Sequence, residues 1–262
     1  MLGGKKMRSY LLALSFLTAL PIKINYEVSK EQMGRTLAFY PVVGLTLGLI
    51  IAGVAWAGDY FHLGLAGDTL TIVVLVALTA GLHLDGLMDT FDGLLSGRPR
   101  EQKLEIMKDS NVGAMGAIVL ACHLLLKISF LSVLFWPDKY GLLILMPAVG
   151  RWAMVYSIAN YPYARKKPGL GSIFDQETGK ENLWAATVLL VAACILLTGW
   201  QGLPVLVLTG LMVHFFTKAV AKSLGGQTGD TYGAAGEMAE LLFMVTAVLI
   251  SSVGVSFGWM GF

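Results

Sequence analysis

Residues 69–95 read Thr69-Leu-Thr-Ile-Val-Val-Leu-Val-Ala-Leu-Thr-Ala-Gly-Leu-His-Leu-Asp85-Gly-Leu-Met-Asp89-Thr-Phe-Asp92-Gly-Leu-Leu95. The first half is a run of apolar residues long enough to begin a membrane crossing. The second half places three carboxylates where that crossing ends. On a regular helix of 100° per residue, Asp89 lies roughly 40° from Asp85, and Asp92 roughly 20° to the other side. All three therefore share one stripe. Acids on one stripe repel each other, and next to hydrocarbon each is expensive unless compensated. A solvated helix would place basic residues at i±4, and none is present. A hard divalent cation such as Mg²⁺, which takes oxygen ligands, is the natural counter-charge. The stretch thus predicts an all-α membrane protein with metal-assisted chemistry at one membrane face.

Composition extends this reading to the whole chain. Of 262 residues, 56% are hydrophobic and 14% charged, with a mean hydropathy of +0.69. Soluble domains carry about 25% charged residues. Seven apolar segments stand out, at about 37–58, 69–95, 112–136, 141–161, 183–200, 203–221 and 236–258. Residues 8–20 are too short to span and predict an interfacial or re-entrant helix, retained because no small-residue cleavage site follows. Residues 1–262 therefore form a single membrane-embedded domain. The net charge of +2 excludes the basic footprint of a nucleic-acid binder. Cys122 and Cys194 sit in apolar runs, with no CxxC and no His at zinc-ligand spacing, and read as small buried hydrophobes.

Seven spans put alternate loops on opposite sides. One side then receives Lys5, Lys6, Arg8, Lys23, Lys30, Arg35, Arg98, Arg100, Lys103, Lys108, Arg165, Lys166, Lys167, Lys180, Lys218 and Lys222. The other receives only Lys139, while Lys127 and Arg151 fall within spans. By the positive-inside rule the N-terminus and the longer, polar loops are cytoplasmic, and the C-terminus is outside. The aspartate stripe then ends on the cytoplasmic side.

Several further residues carry potential chemistry. His83 lies about 160° from Asp85 around the helix, so it joins the same ion only if the helix deforms. General base, partner of a ligand and buried structural histidine all stay open for it. In the loop after the stripe, Pro99 suits the first turn of a helix, Leu104 and Met107 suit docking on the membrane face, and Glu101 and Glu105 suit pairing with Lys103 and Lys108. Asp109-Ser110-Asn111 forms a polar cluster at the mouth of the next span, from which Asp109 can approach the stripe. Arg151, alone in mid-span, needs an acid partner or an anionic ligand. Arg165, in the loop 161–171, offers bidentate geometry to a diphosphate or charge to a lipid headgroup. The stretch 224–240 reads as a Gly-rich loop. Its backbone near Thr228 and Gly229 suits phosphate, and its acids Asp230 and Glu237 suit metal, although acids there also favour a helix N-terminus.

Taken in order, these stretches resemble the cobalamin synthase family, the adenosylcobinamide-GDP ribazoletransferases. The resemblance runs through Gly81–Gly93, Leu104-Glu-Ile-Met-Lys-Asp-Ser-Asn-Val-Gly113, Gly150-Arg-Trp152, Tyr161-Pro-Tyr-Ala-Arg165 and Leu224-Gly-Gly-Gln-Thr-Gly-Asp-Thr-Tyr-Gly-Ala234. Phe16-Leu-Thr-Ala-Leu-Pro21 and Phe39-Tyr-Pro-Val-Val-Gly-Leu45 fit as well, so it covers essentially the whole chain. It implies a multi-pass inner-membrane enzyme that joins adenosylcobinamide-GDP to α-ribazole or α-ribazole 5′-phosphate, releases GMP and requires Mg²⁺. It maps the family's acidic motif onto Asp85, Asp89 and Asp92, and its second acidic positions onto Asp109 and Asp230. Met88 and Phe91 replace smaller residues between the aspartates, which alters packing rather than chemistry.

On this reading Asp85 and Asp89 lead the metal set, with Asp92, Asp109, Asp230 and Glu237 able to complete it. His83 or an aspartate takes the hydroxyl proton. Arg151, Arg165 and Lys108 steady phosphate charge, with Asn111, Thr228 and Gly229 as further substrate contacts. Copies of the chain or other late cobalamin-pathway enzymes are conceivable partners alongside the lipid bilayer. Two rivals are weighed against it. CDP-alcohol phosphotransferases carry an Ala-Arg pair where this chain has Met88-Asp89. A cation-coupled transporter would place acids mid-membrane on a second helix, and here they gather at one face.

Overall fold

The computed structural model describes residues 2–134, 138–166, 169–174, 176–252 and 254. Lys167, the end of the predicted 112–136 span from 135 on with residue 137 of the outer loop after it, and residues 253 and 255–258 of the predicted 236–258 span lie outside the described residues. Within them the apolar runs form helices, the structure that satisfies backbone N–H and C=O groups internally where lipid offers no partner. Eleven α-helices follow in order among the described residues: α1 (Leu2–Leu17), α2 (Lys30–Thr36), α3 (Tyr40–Tyr60), α4 (Leu65–Leu78), α5 (Leu82–Leu95), α6 (Arg100–Ile106), α7 (Ala114–Ser132), α8 (Asp138–Asn160), α9 (Gln176–Thr198), α10 (Leu203–Leu224) and α11 (Gly229–Ser252). Six of them, or seven if α4 and α5 count as one bent span, are long and apolar enough to cross a membrane. The fold class read from the sequence stands: a polytopic all-α membrane protein.

Burial sorts the helices. Within their most apolar stretches α8 and α11 are 83% and 67% buried in the protein, whereas α7, α9 and α10 are only 22–28% buried. Long apolar helices that bury so little against protein have faces suited to lipid, as Leu125, Ile195 and Phe215 illustrate. Cys194 is buried but Cys122 is exposed on α7, which corrects the expectation that both are core residues. An apolar run marks a core position in a soluble protein, but on a peripheral membrane helix it marks the lipid face equally well. At one end of the bundle the Lys139 ammonium lies 2.9 Å from both Asp59 and Asp68.

Two expectations about element boundaries are overturned. The 69–95 segment is not one straight span: α4 and α5 meet at 89°. The break falls at Thr79–Gly81, where Ala80 and Gly81 take φ of 50° and 68°, a region a continuing helix cannot use. The Gly-rich stretch expected as a loop from 224 to 240 is helical from Gly229. Its small residues do not break the helix because they are buried, and they let α5 and α8 approach its backbone closely.

Two smaller differences concern the loop 96–111. Pro99 caps α6 rather than opening its first turn. Met107 packs with Ala164, Val220 and Leu224 inside the protein instead of on the membrane face.

Candidate functional site

The bend is what builds the site. By turning α5 across the start of α11, it brings Asp85 and Asp89 to the residues that open α11. The crossing is so close that a Cβ on Gly86 would sit 2.6 Å from the carbonyl oxygen of Asp230, so only glycine fits there. Asp85 is exposed and Asp89 half-buried, both on the stripe that the helical angles predict. Asp89 lies within electrostatic reach of Asp85, Asp92, Asp230 and Arg165.

Asp230 is held from two sides. The Arg165 guanidinium donates to its Oδ2 at 2.6 Å, and the Thr228 hydroxyl approaches the same oxygen at 3.3 Å. Arg165 is delivered by backbone pairing between the loop after α8 and the loop before α11. Ala164 N–H donates to Gln227 O at 2.7 Å, and Gln227 N–H donates to Pro162 O at 2.9 Å. Arg100, on α6, fastens the same junction by donating to Leu224 O at 2.6 Å and Ala164 O at 2.8 Å. The sequence reading took Arg100 only as a loop charge. Nothing local marks a side chain that caps carbonyls 64 and 124 residues away.

The other predicted members sit elsewhere. Asp92 is on the stripe, but its two oxygens accept the N–H groups of Gly113 (2.9 Å) and Gly116 (2.8 Å), which makes it the cap of α7 from a neighbouring helix. Asp109 is exposed and closes a turn with Asn111, whose backbone N–H and side-chain amide donate to it and hold its carboxyl below the usual carboxylate range. Lys108 is exposed too. Among the described residues no hydrogen bond or ion pair joins Lys108, Asp109 or Asn111 to the aspartates of α5. Thr228 is fully buried and caps α11 through reciprocal bonds with Thr231, so it presents no open face to a substrate. Gly229 lines the cavity beside Asp230.

Arg151 and Glu237 correct their predicted roles. Glu237 accepts from Lys127 at 2.6 Å and bonds His123 at 2.9 Å, all buried. Lys127 also donates to Glu240 at 2.6 Å, and Glu240 pairs with Arg151. Two cations and two carboxylates thus close on themselves between α7, α8 and α11. That is how charges survive at this depth: each is paired and hydrogen-bonded. Glu237 and Arg151, 6% and 1% exposed, are thus engaged by protein partners on the side away from the aspartates of α5 that the sequence reading expected them to join. The other contact of Arg151 is His83, whose Nδ1 lies 3.3 Å from Nη2 of Arg151. His83 is turned about 160° from Asp85 around the helix and bonds Arg151, while lining the cavity that Asp85 and Asp230 also line.

Two cavities flank Asp85. One, about 450 Å³, lies between α1, α3, α5, α8 and α11 and is lined by Tyr40, His83, Asp85, Met154, Ile158, Phe174, Gly229 and Asp230 among others. The other, about 600 Å³, lies against α4 and α7 and shares Phe16, Leu82 and Asp85 with the first. Ligand sites have this character, mostly apolar with a few placed polar groups. Among the described residues no three His, Cys, Asp or Glu side chains are close enough to hold a metal ion alone. The arrangement offers carboxylates and one guanidinium at the meeting point of two cavities.

The same stretches align with known proteins. The family model described as Cobalamin-5-phosphate synthase matches residues 9–248. A protein of Desulforamulus reducens named adenosylcobinamide-GDP ribazoletransferase is 48% identical over 89% of this chain and 94% of its own length. Proteins of the same name from a Roseiflexus species and from Desulfitobacterium hafniense are 41% and 39% identical, over 90% and 92% of this chain and 88% and 96% of theirs. No solved structure matches the chain. A match that runs through α1–α11, and so through every element that shapes the two cavities and the acids between them, means that the chain belongs to the cobalamin-5-phosphate synthase family.

Proposed function

We propose that this chain joins adenosylcobinamide-GDP to α-ribazole, or to α-ribazole 5′-phosphate, and releases GMP, and that it does so with Mg²⁺ at the cytoplasmic face of the inner membrane. The observation that carries this reading is the meeting of Asp85 and Asp89 with the Asp230–Arg165 pair, between two cavities, in a chain whose relatives bear that name. A ribose hydroxyl attacks the phosphorus next to cobinamide. The new P–O bond forms as the bond to the GMP oxygen breaks, so GMP leaves and the hydroxyl proton passes to a carboxylate. Such transfers need positioning and charge neutralisation more than covalent help.

The donor set fits magnesium. Asp85, Asp89 and Asp230 stand with one guanidinium, Arg165, so this corner holds surplus negative charge that a diphosphate would worsen. Fewer than three converging acids is what Mg²⁺ sites on phosphate substrates use, since one or two carboxylates hold the ion and phosphate oxygens and water complete the shell. Asp85 and Asp89 would hold it, with Asp230 nearby. Bound there, the ion neutralises the diphosphate and the leaving group. Arg165 steadies Asp230 and offers its remaining N–H groups to phosphate.

The test is turnover in purified, membrane-reconstituted protein, read as GMP release. Asp85→Asn and Asp89→Asn should each lower Mg²⁺-dependent kcat/KM by roughly 100-fold or more, the scale of losing one electrostatic stabiliser. Near-wild-type, Mg²⁺-dependent rates in both variants would end the metal assignment.

A further inference from the structure

Asp85 and Asp89 stand on a helix that arrives through an 89° turn, so something must fix where that helix points them. Its packing on α11 is close and apolar. Leu84 and Leu87 are buried with Ala234, and a Cβ on Gly233 would lie 3.2 Å from the Cα of His83. Apolar burial is non-directional, so it leaves the rotation of α5 about its own axis loosely set. Hydrogen bonds are directional. Among the described residues, α5 side chains bond other elements at two points. Asp92 accepts the Gly113 and Gly116 N–H groups at the start of α7. In the first turn, His83 Nδ1 lies 3.3 Å from Nη2 of Arg151 on α8. Arginine only donates, so this nitrogen is the acceptor and the neutral ring carries its proton on Nε2. Nine positions along a regular helix turn it by roughly 180° beyond whole turns, so the two tethers leave α5 from opposite faces. Asp85 and Asp89 lie between them in the chain.

Resting on the transfer reaction proposed above, we infer that His83 is a positioning residue: through its bond to Arg151 it sets the rotation of α5 and so aims Asp85 and Asp89 at the corner they share with Asp230. Arg151 is a firm anchor for this. Its guanidinium pairs with Glu240 of α11, and Glu240 accepts from Lys127 of α7 at 2.6 Å, all of them buried. One bond from His83 therefore ties the first turn of α5 to α7, α8 and α11 together. The leverage is large. Side chains reach roughly 5–6 Å from a helix axis, so a rotation of about 10° moves a carboxylate by about 1 Å. A misplacement of that size costs about 100-fold in rate. His83 acts through Arg151 rather than on the reacting atoms.

The experiment compares two variants of the full-length protein in nanodiscs. His83→Leu keeps the bulk and removes the acceptor. His83→Asn restores one, because its Oδ1 stands close to where Nδ1 does. His83→Leu should lower kcat for GMP release by about 100-fold while the KM for each substrate stays near wild type. Amide hydrogen exchange should quicken about tenfold in α5 but not in α9, the scale of one lost hydrogen bond. His83→Asn should recover most of both. A role in overall stability alone would lower the unfolding midpoint and leave kcat per folded protein unchanged, and that result overturns the inference. So does a His83→Asn variant as impaired as His83→Leu. Should His83→Leu not fold, Arg151→Lys keeps a cation beside Glu240 but lacks the planar fork that reaches His83 as well. It should lower kcat and speed α5 exchange in the same way, and wild-type values of both overturn the inference equally. Failure of the transfer reading looks different: wild-type protein then yields no GMP from the two substrates, and α5 exchange in the two His83 variants still tests the tether.

Discussion

At the scale of single residues, the same amino acid takes opposite roles according to its partner. Asp230 faces a cavity because its Arg165 partner is itself half-buried and open to a substrate. Glu237, seven residues on, is sealed by Lys127 and His123. The sealed cluster gives a sharp expectation. Removing one member of a buried ion pair leaves the other uncompensated, at about 3–5 kcal/mol. Lys127→Met should therefore shift the unfolding midpoint of the purified protein strongly downward. Lys127→Met combined with Glu237→Gln, which restores neutrality, should recover most of the loss. Equal destabilisation in the single and double variants, measured by thermal or detergent titration, would show that Lys127 acts through packing instead. The types and helical angles of these residues were legible in the sequence, and so was the need of mid-span Arg151 for a partner. Which partner it takes was not. Glu240, its partner, lies 89 residues away, and no local pattern links them.

At the scale of elements, the site depends on how two helices cross. The stripe of acids was readable from the 3.6-residue period, but the 89° turn before it was not. Thr79-Ala80-Gly81 carries no proline, and its break takes positive φ at both Ala80 and Gly81. The Gly-rich stretch before Glu240 was misread for a related reason. Glycine weakens a helix in water, yet here it is the condition for close contact with α5. Gly86→Ala tests this. Its methyl group would meet the Asp230 backbone, a contact that only movement of α5 relieves. A displacement of about 1 Å at a catalytic site can cost about 100-fold in rate, so turnover should fall by that order while helix content by circular dichroism is retained. Gly53→Ala, whose methyl group meets nothing within 4 Å, serves as the control and should keep its activity.

At the scale of the molecule, the basic residues and the site share one end. Arg100, Lys103 and Arg165 all make their bonds at the junction of α6, α10 and α11, next to Asp230. Lys139, at the end that holds Asp59 and Asp68, is paired with both acids and so adds no free positive charge there. By the positive-inside rule the site end is expected to face the cytoplasm. A membrane-impermeant thiol reagent checks it in a Cys122→Ser/Cys194→Ala background. His62→Cys should label in right-side-out vesicles and Lys23→Cys only in inverted ones. The reverse pattern would place the site outside and remove it from cytoplasmic nucleotide-linked substrates.

The sequence by itself determined that the chain is helical and membrane-embedded, that three aspartates share one helix face, and which family it belongs to. Each of these depends on composition, on local period or on the order of motifs along the chain. Only the tertiary structure decided that Asp85, Asp89 and Asp230 meet beside Arg165, that Asp92 caps a helix, that Arg151 and Glu237 are consumed in a buried cluster, and that His83 bonds Arg151. The reason is physical. A helical period fixes where a side chain points around its own axis, whereas its partner is set by how segments 21 to 114 residues apart in the chain pack against one another.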